Sequence, residues 1–137
     1  MDAVLQSFLA GFPVLLMHFS VTIVMLIMGV TIYIWITPHK DVALVREGNV
    51  AAAISLSGAV LGLAIPLAMS MSVSVSVADI VIWGVLTLVV QLIVFRLADL
   101  LLRDLSTRIE AGEVAAAVLL CAIKLAVPAI FAAAVSG

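Results

Sequence analysis

Charge is what this sequence has least of. Only 10% of its 137 residues are Asp, Glu, Lys or Arg, whereas 66% are apolar, and the mean hydropathy is +1.44. A soluble domain carries about 25% charged residues, so these side chains could not clothe a water-soluble fold. The six Lys and Arg form no run interleaved with aromatics, and the formal charge is −2, which excludes nucleic acid as a partner. A single cysteine, Cys121, allows no internal disulfide and no cysteine-built zinc or redox centre. There is no HExxH, GxSxG or Walker loop, and no carboxylate pair is expected inside the membrane. Hence no catalytic residue, metal ligand or cofactor is expected, and the chain reads as a non-enzyme. The segment Met1 to Gln6 lacks the basic start of a cleavable signal, and the apolar block after it is too long for one, so that block is expected to persist as a membrane helix.

What the sequence has in abundance is long apolar blocks. Four of them, each of roughly twenty residues, match the length needed to cross about 30 Å of hydrocarbon at 1.5 Å per residue. The first runs from about Phe12 to Ile36, with Pro13 in its first turn and Thr37-Pro38 ending it. The second runs from about Asn49 to Ala68 behind Gly48. The Ser/Val alternation Met69 to Val77 follows and is read as an extended interfacial loop, because a lone strand beside membrane helices would leave its backbone unpaired. Asp79 is expected to cap the third block, Ile80 to about Leu102, and Gly112-Glu113 opens the fourth, to about Val135. The expected fold is an all-α membrane protein of four transmembrane helices, one membrane domain over residues 1–137.

Lys40 and Arg46 lie in the first loop, Arg103 and Arg108 in the third, and Arg96 can snorkel the same way. The positive-inside rule therefore places those loops in the cytoplasm and both termini on the other side of the membrane. Asp99 and Arg103, four apart in acid-first order, are read as a helix-end pair. Trp35 and Trp83 read as anchors at opposite interfaces.

Laying Glu47-Gly48-Asn49-Val50-Ala51-Ala52-Ala53-Ile54 over Ala111-Gly112-Glu113-Val114-Ala115-Ala116-Ala117-Val118 aligns two helix starts. The chain thus reads as two two-helix repeats, 12–68 and 79–135. Each contains an even number of crossings, so the copies must be parallel. The same register sets Gly58 and Gly62 over Ala122 and Ala126, a small-xxx-small pair in each repeat and the expected helix-packing surface, within a chain or between chains.

Polar groups inside the blocks are the candidate site. From the expected helix ends, His18 lies about 9 Å below the outer surface, Lys124 about 13 to 17 Å and Gln91 about 18 Å. They could meet. A lysine at such depth costs about 3 kcal/mol on insertion scales, so Lys124 should face protein or a water-filled path. Lys124 also precedes Pro128 by one turn, which frees its carbonyl. The alternative to a path lined by Lys124, Gln91 and His18 is a set of packing contacts, with Gln91 and Thr87 as interhelical glue. Thr37, Pro38, His39 and Asn49 lie at the cytoplasmic surface and are candidates for contact with a soluble partner, or else a capped turn.

The residues Ile36-Thr37-Pro38-His39, Asn49 with Ala51-Ala52, Ser57-Gly58 with Leu61-Gly62, Ile65-Pro66-Leu67, Asp79, Trp83-Gly84 and Gln91-Leu92 with Phe95 resemble the YjfL-like family of small bacterial inner-membrane proteins (domain of unknown function 350). The resemblance covers about residues 12 to 135. It implies a multi-pass protein of the bacterial inner membrane built on a repeated two-helix unit, and supplies no chemistry. Gln91, Asn49 and the Thr37-Pro38-His39 turn match the family pattern, and Lys124 lies outside it.

Two functions remain open on this reading. One is a non-enzymatic assembly or regulatory component of the cell envelope, acting as a homo-oligomer or with another membrane protein or a peripheral cytoplasmic protein. The other is a small oligomeric channel or transporter whose path is lined by Gln91 and Lys124.

Overall fold

The computed structural model describes residues 1–37 and 41–137. All regular structure among them is helical: α1 (Asp2–Ile36), α2 (Asp41–Arg46), α3 (Val50–Val73), α4 (Val77–Leu101), α5 (Arg103–Glu110) and α6 (Val114–Ser136). Four of these, α1, α3, α4 and α6, are long and apolar enough to cross a membrane. They are joined at one end of the bundle by the short helices α2 and α5 and at the other by residues 74–76.

The apolar helices have little sidedness of their own, so packing follows side-chain size. On α3 the buried residues Ala51, Ala52, Ser55, Gly58, Ala59 and Gly62 are small, and α3 sits centrally against α1, α4 and α6. Its broadest contact is with α6. A Cβ on Gly58 would come within 2.9 Å of the Cys121 Cα, and one on Gly62 would overlap the Lys124 carbonyl oxygen, so the two backbones nearly touch. Residues at similar distances from the α2/α5 end face each other, which makes α3 and α6 parallel. In hydrocarbon this close approach, which gains dispersion contacts over most of the helix length, replaces the hydrophobic drive available in water. On the other side of α3, Gly29 of α1 accommodates Leu88 of α4, and Gly84 of α4 accommodates Met25 of α1, so α1 and α4 also run parallel.

The two turns that launch α3 and α6 have matching geometry. Gly48 and Gly112 both adopt φ +87°, a conformation that suits glycine because it has no Cβ. Asn49 N–H donates to the Leu44 carbonyl at 2.9 Å, and Glu113 N–H to the Arg108 carbonyl at 2.9 Å. Asn49 Oδ1 then accepts the Ala52 N–H at 3.0 Å, while its Nδ2 donates to the carbonyls of Ile109 and Glu110 at 3.1 and 3.3 Å. One side chain thus caps the start of α3 and the end of α5. In the second turn the Arg108 side chain pairs with Glu113 on the surface.

Several expectations are corrected. The first helix begins at Asp2, not near Phe12; Pro13 lies inside it, where it removes one backbone bond without ending a strongly apolar helix. The Ser/Val segment is not an extended loop from Met69, because α3 continues to Val73. Ser72 and Ser74 return their hydroxyls to the carbonyls of Met69 and Ser70 at 2.7 and 2.6 Å, which satisfies them locally. Asp79 is not the cap of α4: Ser76 is, its Oγ accepting the Asp79 N–H at 3.2 Å, and Asp79 reaches back to the Val75 N–H at 3.3 Å. The first and third loops, for which no helix was expected, contain α2 and α5, and α5 buries Leu105 and Ile109 beneath the bundle end.

Candidate intramembrane charge site

The buried face of α6 carries Ala117, Leu120, Lys124, Pro128 and Ala132, so the helical period turns Lys124 inward. Lys124 stands ten residues into α6, about 15 Å along its axis. Its side chain leans toward the helix N-terminus, which brings the ammonium back toward the α2/α5 end. There Nζ lies 3.0 Å from Asp99 Oδ1 and donates to the Tyr33 hydroxyl at 2.6 Å. Residue exposures are 1% for Lys124, 2% for Asp99 and 1% for Tyr33.

Each partner is delivered by a helix face. Gln91, Phe95 and Asp99 succeed one another at four-residue intervals on the buried side of α4. Phe95 meets Tyr33 edge-on, with centroids 5.8 Å apart and planes at 85°. Lys124 Nζ meets Tyr33 at its hydroxyl edge, 4.7 Å from the ring centroid, and lies 5.7 Å from the Phe95 centroid. Asp41, buried at the start of α2, is close enough for its charge to act on both Lys124 and Tyr33. Thr37 and Ser55 lie beside Tyr33, and the Thr37 hydroxyl donates to the Tyr33 carbonyl. The outcome is a knot tying α1, α4 and α6 together, with Asp41 at the start of α2 close by. An ammonium and a carboxylate removed from water in this way hold only as a pair, since either alone would be left uncompensated in low dielectric.

The knot gathers only one of the three polar residues the sequence singled out at depth. Gln91 is fully buried, but Phe95 stands between it and Asp99 along α4, and neither of its amide atoms, nor the Thr87 hydroxyl, has a hydrogen-bond partner among the described residues. His18 is half-buried and lies about 22 Å along α1 from Tyr33, so it cannot join Lys124. Its backbone carbonyl accepts the Thr22 hydroxyl at 2.8 Å. Gly58 and Gly62 form the α3–α6 seam, whereas Ala122 and Ala126 are exposed on the far side of α6. The glycines instead meet Cys121, Lys124 and Pro128. Asn49 and Thr37 are engaged within the chain as described, and Pro38 and His39 lie outside the described residues.

Asp99, Tyr33 and Asp41 were missed by sequence reasoning, which left Asp99 beside Arg103 and saw no acidic groups at depth. A signal for Asp99 was present in its phase with Gln91 and Phe95. Tyr33, the sole tyrosine, is the only phenol that could meet a buried cation. Asp41 carried no such signal, because depth at a turn depends on α2 folding under the bundle.

Residues 7–135 match the family model described as Domain of Unknown Function (DUF350). The chain is similar to the UPF0719 inner membrane protein YjfL of Escherichia coli strain K12, with 36% identity over 92 residues, 67% of this chain and 70% of the relative. The protein of that name from Escherichia coli O157:H7 matches with the same values. No solved structure matches the chain.

Proposed function

The chain belongs to the DUF350 family and is a multi-pass inner-membrane protein, and from that premise we propose that it is a non-enzymatic regulatory or assembly component of the cell envelope. The observation that carries this reading is the Lys124–Asp99–Tyr33 knot. It joins three of the four spanning helices on one ammonium, α4 through the ion pair and α1 through the Tyr33 hydrogen bond, so an event at Lys124 acts on all three. Buried polar groups of this kind serve as register and switch devices in other helical assemblies.

In this reading the Lys and Arg residues orient the α2/α5 end toward the cytoplasm, with both termini opposite. The two halves, each a long helix, a short helix and a long helix, are copies related by a pseudo-two-fold along the membrane normal. Small-residue contacts, with Ala122 and Ala126 free on the outer face of α6, serve a second copy or another membrane protein.

Purification in mild detergent, with chemical crosslinking in native membrane, tests the proposal. The wild type should retain a defined partner or oligomer, and the paired replacement Lys124→Met with Asp99→Leu should fold yet lose it. Recovery of a lone monomer from both would end this reading.

A second reading, ion or proton passage along α4, draws support from the buried amide of Gln91 and hydroxyl of Thr87, polar groups on the route outward from the knot. Reconstituted vesicles should then show a flux that Lys124→Leu abolishes. Tight vesicles across a panel of ions would exclude it.

A further inference from the structure

Where α4 hands over to α5, two helix faces open as a V. Arg96 and Asp99 line it from α4, Arg103 stands at the vertex, and Ser106, Thr107 and Glu110 line it from α5. The cleft measures about 270 Å³ and lies beside the C-terminal end of α4. The two guanidinium groups belong to the α4 wall and the vertex, and Glu110 is at the far end of α5. Asp99, the remaining carboxylate, is neutralised from behind by Lys124 at 3.0 Å.

Three features bear on what the cleft can hold. Ser106 is 6% exposed, and its hydroxyl has no hydrogen-bond partner among the described residues although the residue lines the cleft. A buried hydroxyl left in that state loses the full value of its water contacts. Arg96 is anchored by one N–H to the Ile36 carbonyl at 3.0 Å, which fixes the fork while leaving its other donors free. Finally, α5 starts at Arg103 with no side chain capping it; the Leu105 N–H is taken by the Leu102 carbonyl at 3.0 Å, and the other first-turn amides lie near the vertex.

We propose that this cleft binds the zwitterionic headgroup of an ethanolamine phospholipid. The phosphodiester sits between Arg96, Arg103 and the Ser106 hydroxyl, and the ammonium points along α5 to Glu110. Planar guanidinium groups and hydroxyls suit phosphate oxygens, and an anion is favoured at an open helix start. A simple anion would leave Glu110 facing like charge, whereas a primary ammonium offers it N–H donors. The acyl chains then continue beside the exposed apolar side chains of Leu97 and Leu100 on α4.

Native mass spectrometry of the detergent-purified protein, titrated with ethanolamine, choline and glycerol phospholipids of identical acyl chains, tests the assignment. The ethanolamine lipid should bind roughly tenfold tighter than the other two, the equivalent of one charge-assisted hydrogen bond. Glu110→Gln, at an exposed position where the fold is indifferent, should erase that preference while keeping a phospholipid bound. Arg103→Gln, also exposed, should weaken all three by about tenfold. Circular dichroism of each variant should match the wild type. Equal binding of the three lipids, a preference for the glycerol lipid, or displacement by inorganic phosphate would each overturn the proposal, the last by identifying a free anion as the ligand.

Discussion

Lys124 and Asp99 can be removed together far more safely than either can be removed alone. Asp99→Asn leaves the ammonium without its paired carboxylate in a buried site, with only the charge of Asp41 acting on it, and the expected loss is about 3 kcal/mol, read as a lower midpoint in thermal unfolding in detergent. Lys124→Met with Asp99→Leu should recover most of that loss, because a packed apolar pair replaces two desolvated ions of similar volume. Tyr33→Phe removes one donor–acceptor contact and keeps the ring against Phe95, so a smaller loss of about 1–2 kcal/mol is expected. If Asp99→Asn melts with the wild type, the ion pair does not hold these helices. The inward face of Lys124 was readable from helical phase and from the expense of a cation in lipid. Its partners were not, because the lysine stem carries the charge about one turn from its own Cα, away from the level of Gln91 and His18.

Among the helices, α3 and its seam with α6 dominate. Gly58→Leu would place a branched side chain into the Cys121 backbone, so α3 and α6 must separate along their length. A cysteine pair introduced across the seam should crosslink in the wild type and fail to do so in that variant. Asn49→Ala removes an N-cap and two bonds to the end of α5, a loss of about 1–2 kcal/mol, seen as faster amide exchange at the start of α3. The Arg108 guanidinium is held above its ordinary range by the Glu113 carboxylate. A raised basic group gives its contribution below its unfolded value and loses it only as pH climbs through the folded one. Both lie far on the alkaline side, so this surface pair adds no pH dependence under physiological conditions. The four long helices were readable because hydrocarbon permits little else to cross it. Their ends were not: serines that bond back to their own helix and a proline tolerated within it are local accommodations that composition does not reveal. The short helices α2 and α5 escaped notice for a related reason, since their apolar residues become meaningful only once the bundle end exists to cover them.

For the molecule in the membrane, lysine and arginine positions carry the prediction. A reporter fused after Gly137 should work only when it is one that functions outside the cytoplasm, and a reporter placed in the Gly112 turn should show the reverse. Activity of the C-terminal fusion inside the cell would refute that orientation. The family and the membrane setting were readable from residues between Ile36 and Phe95. The knot was not, because it is assembled from residues far apart in the chain, Tyr33, Asp99 and Lys124, and exists only when three helices have docked.

That dispersed origin has a consequence for biogenesis. The carboxylate of Asp99 is synthesised before its counter-ion, so a nascent chain that has inserted α4 but not α6 carries an acid with no mate. Helix α6, with a lysine at its middle, has the reciprocal need and should leave the insertion machinery only by docking onto its siblings. A chain cut short before α6 is therefore expected to be degraded faster than the wild type, read as a shorter half-life in a pulse-chase.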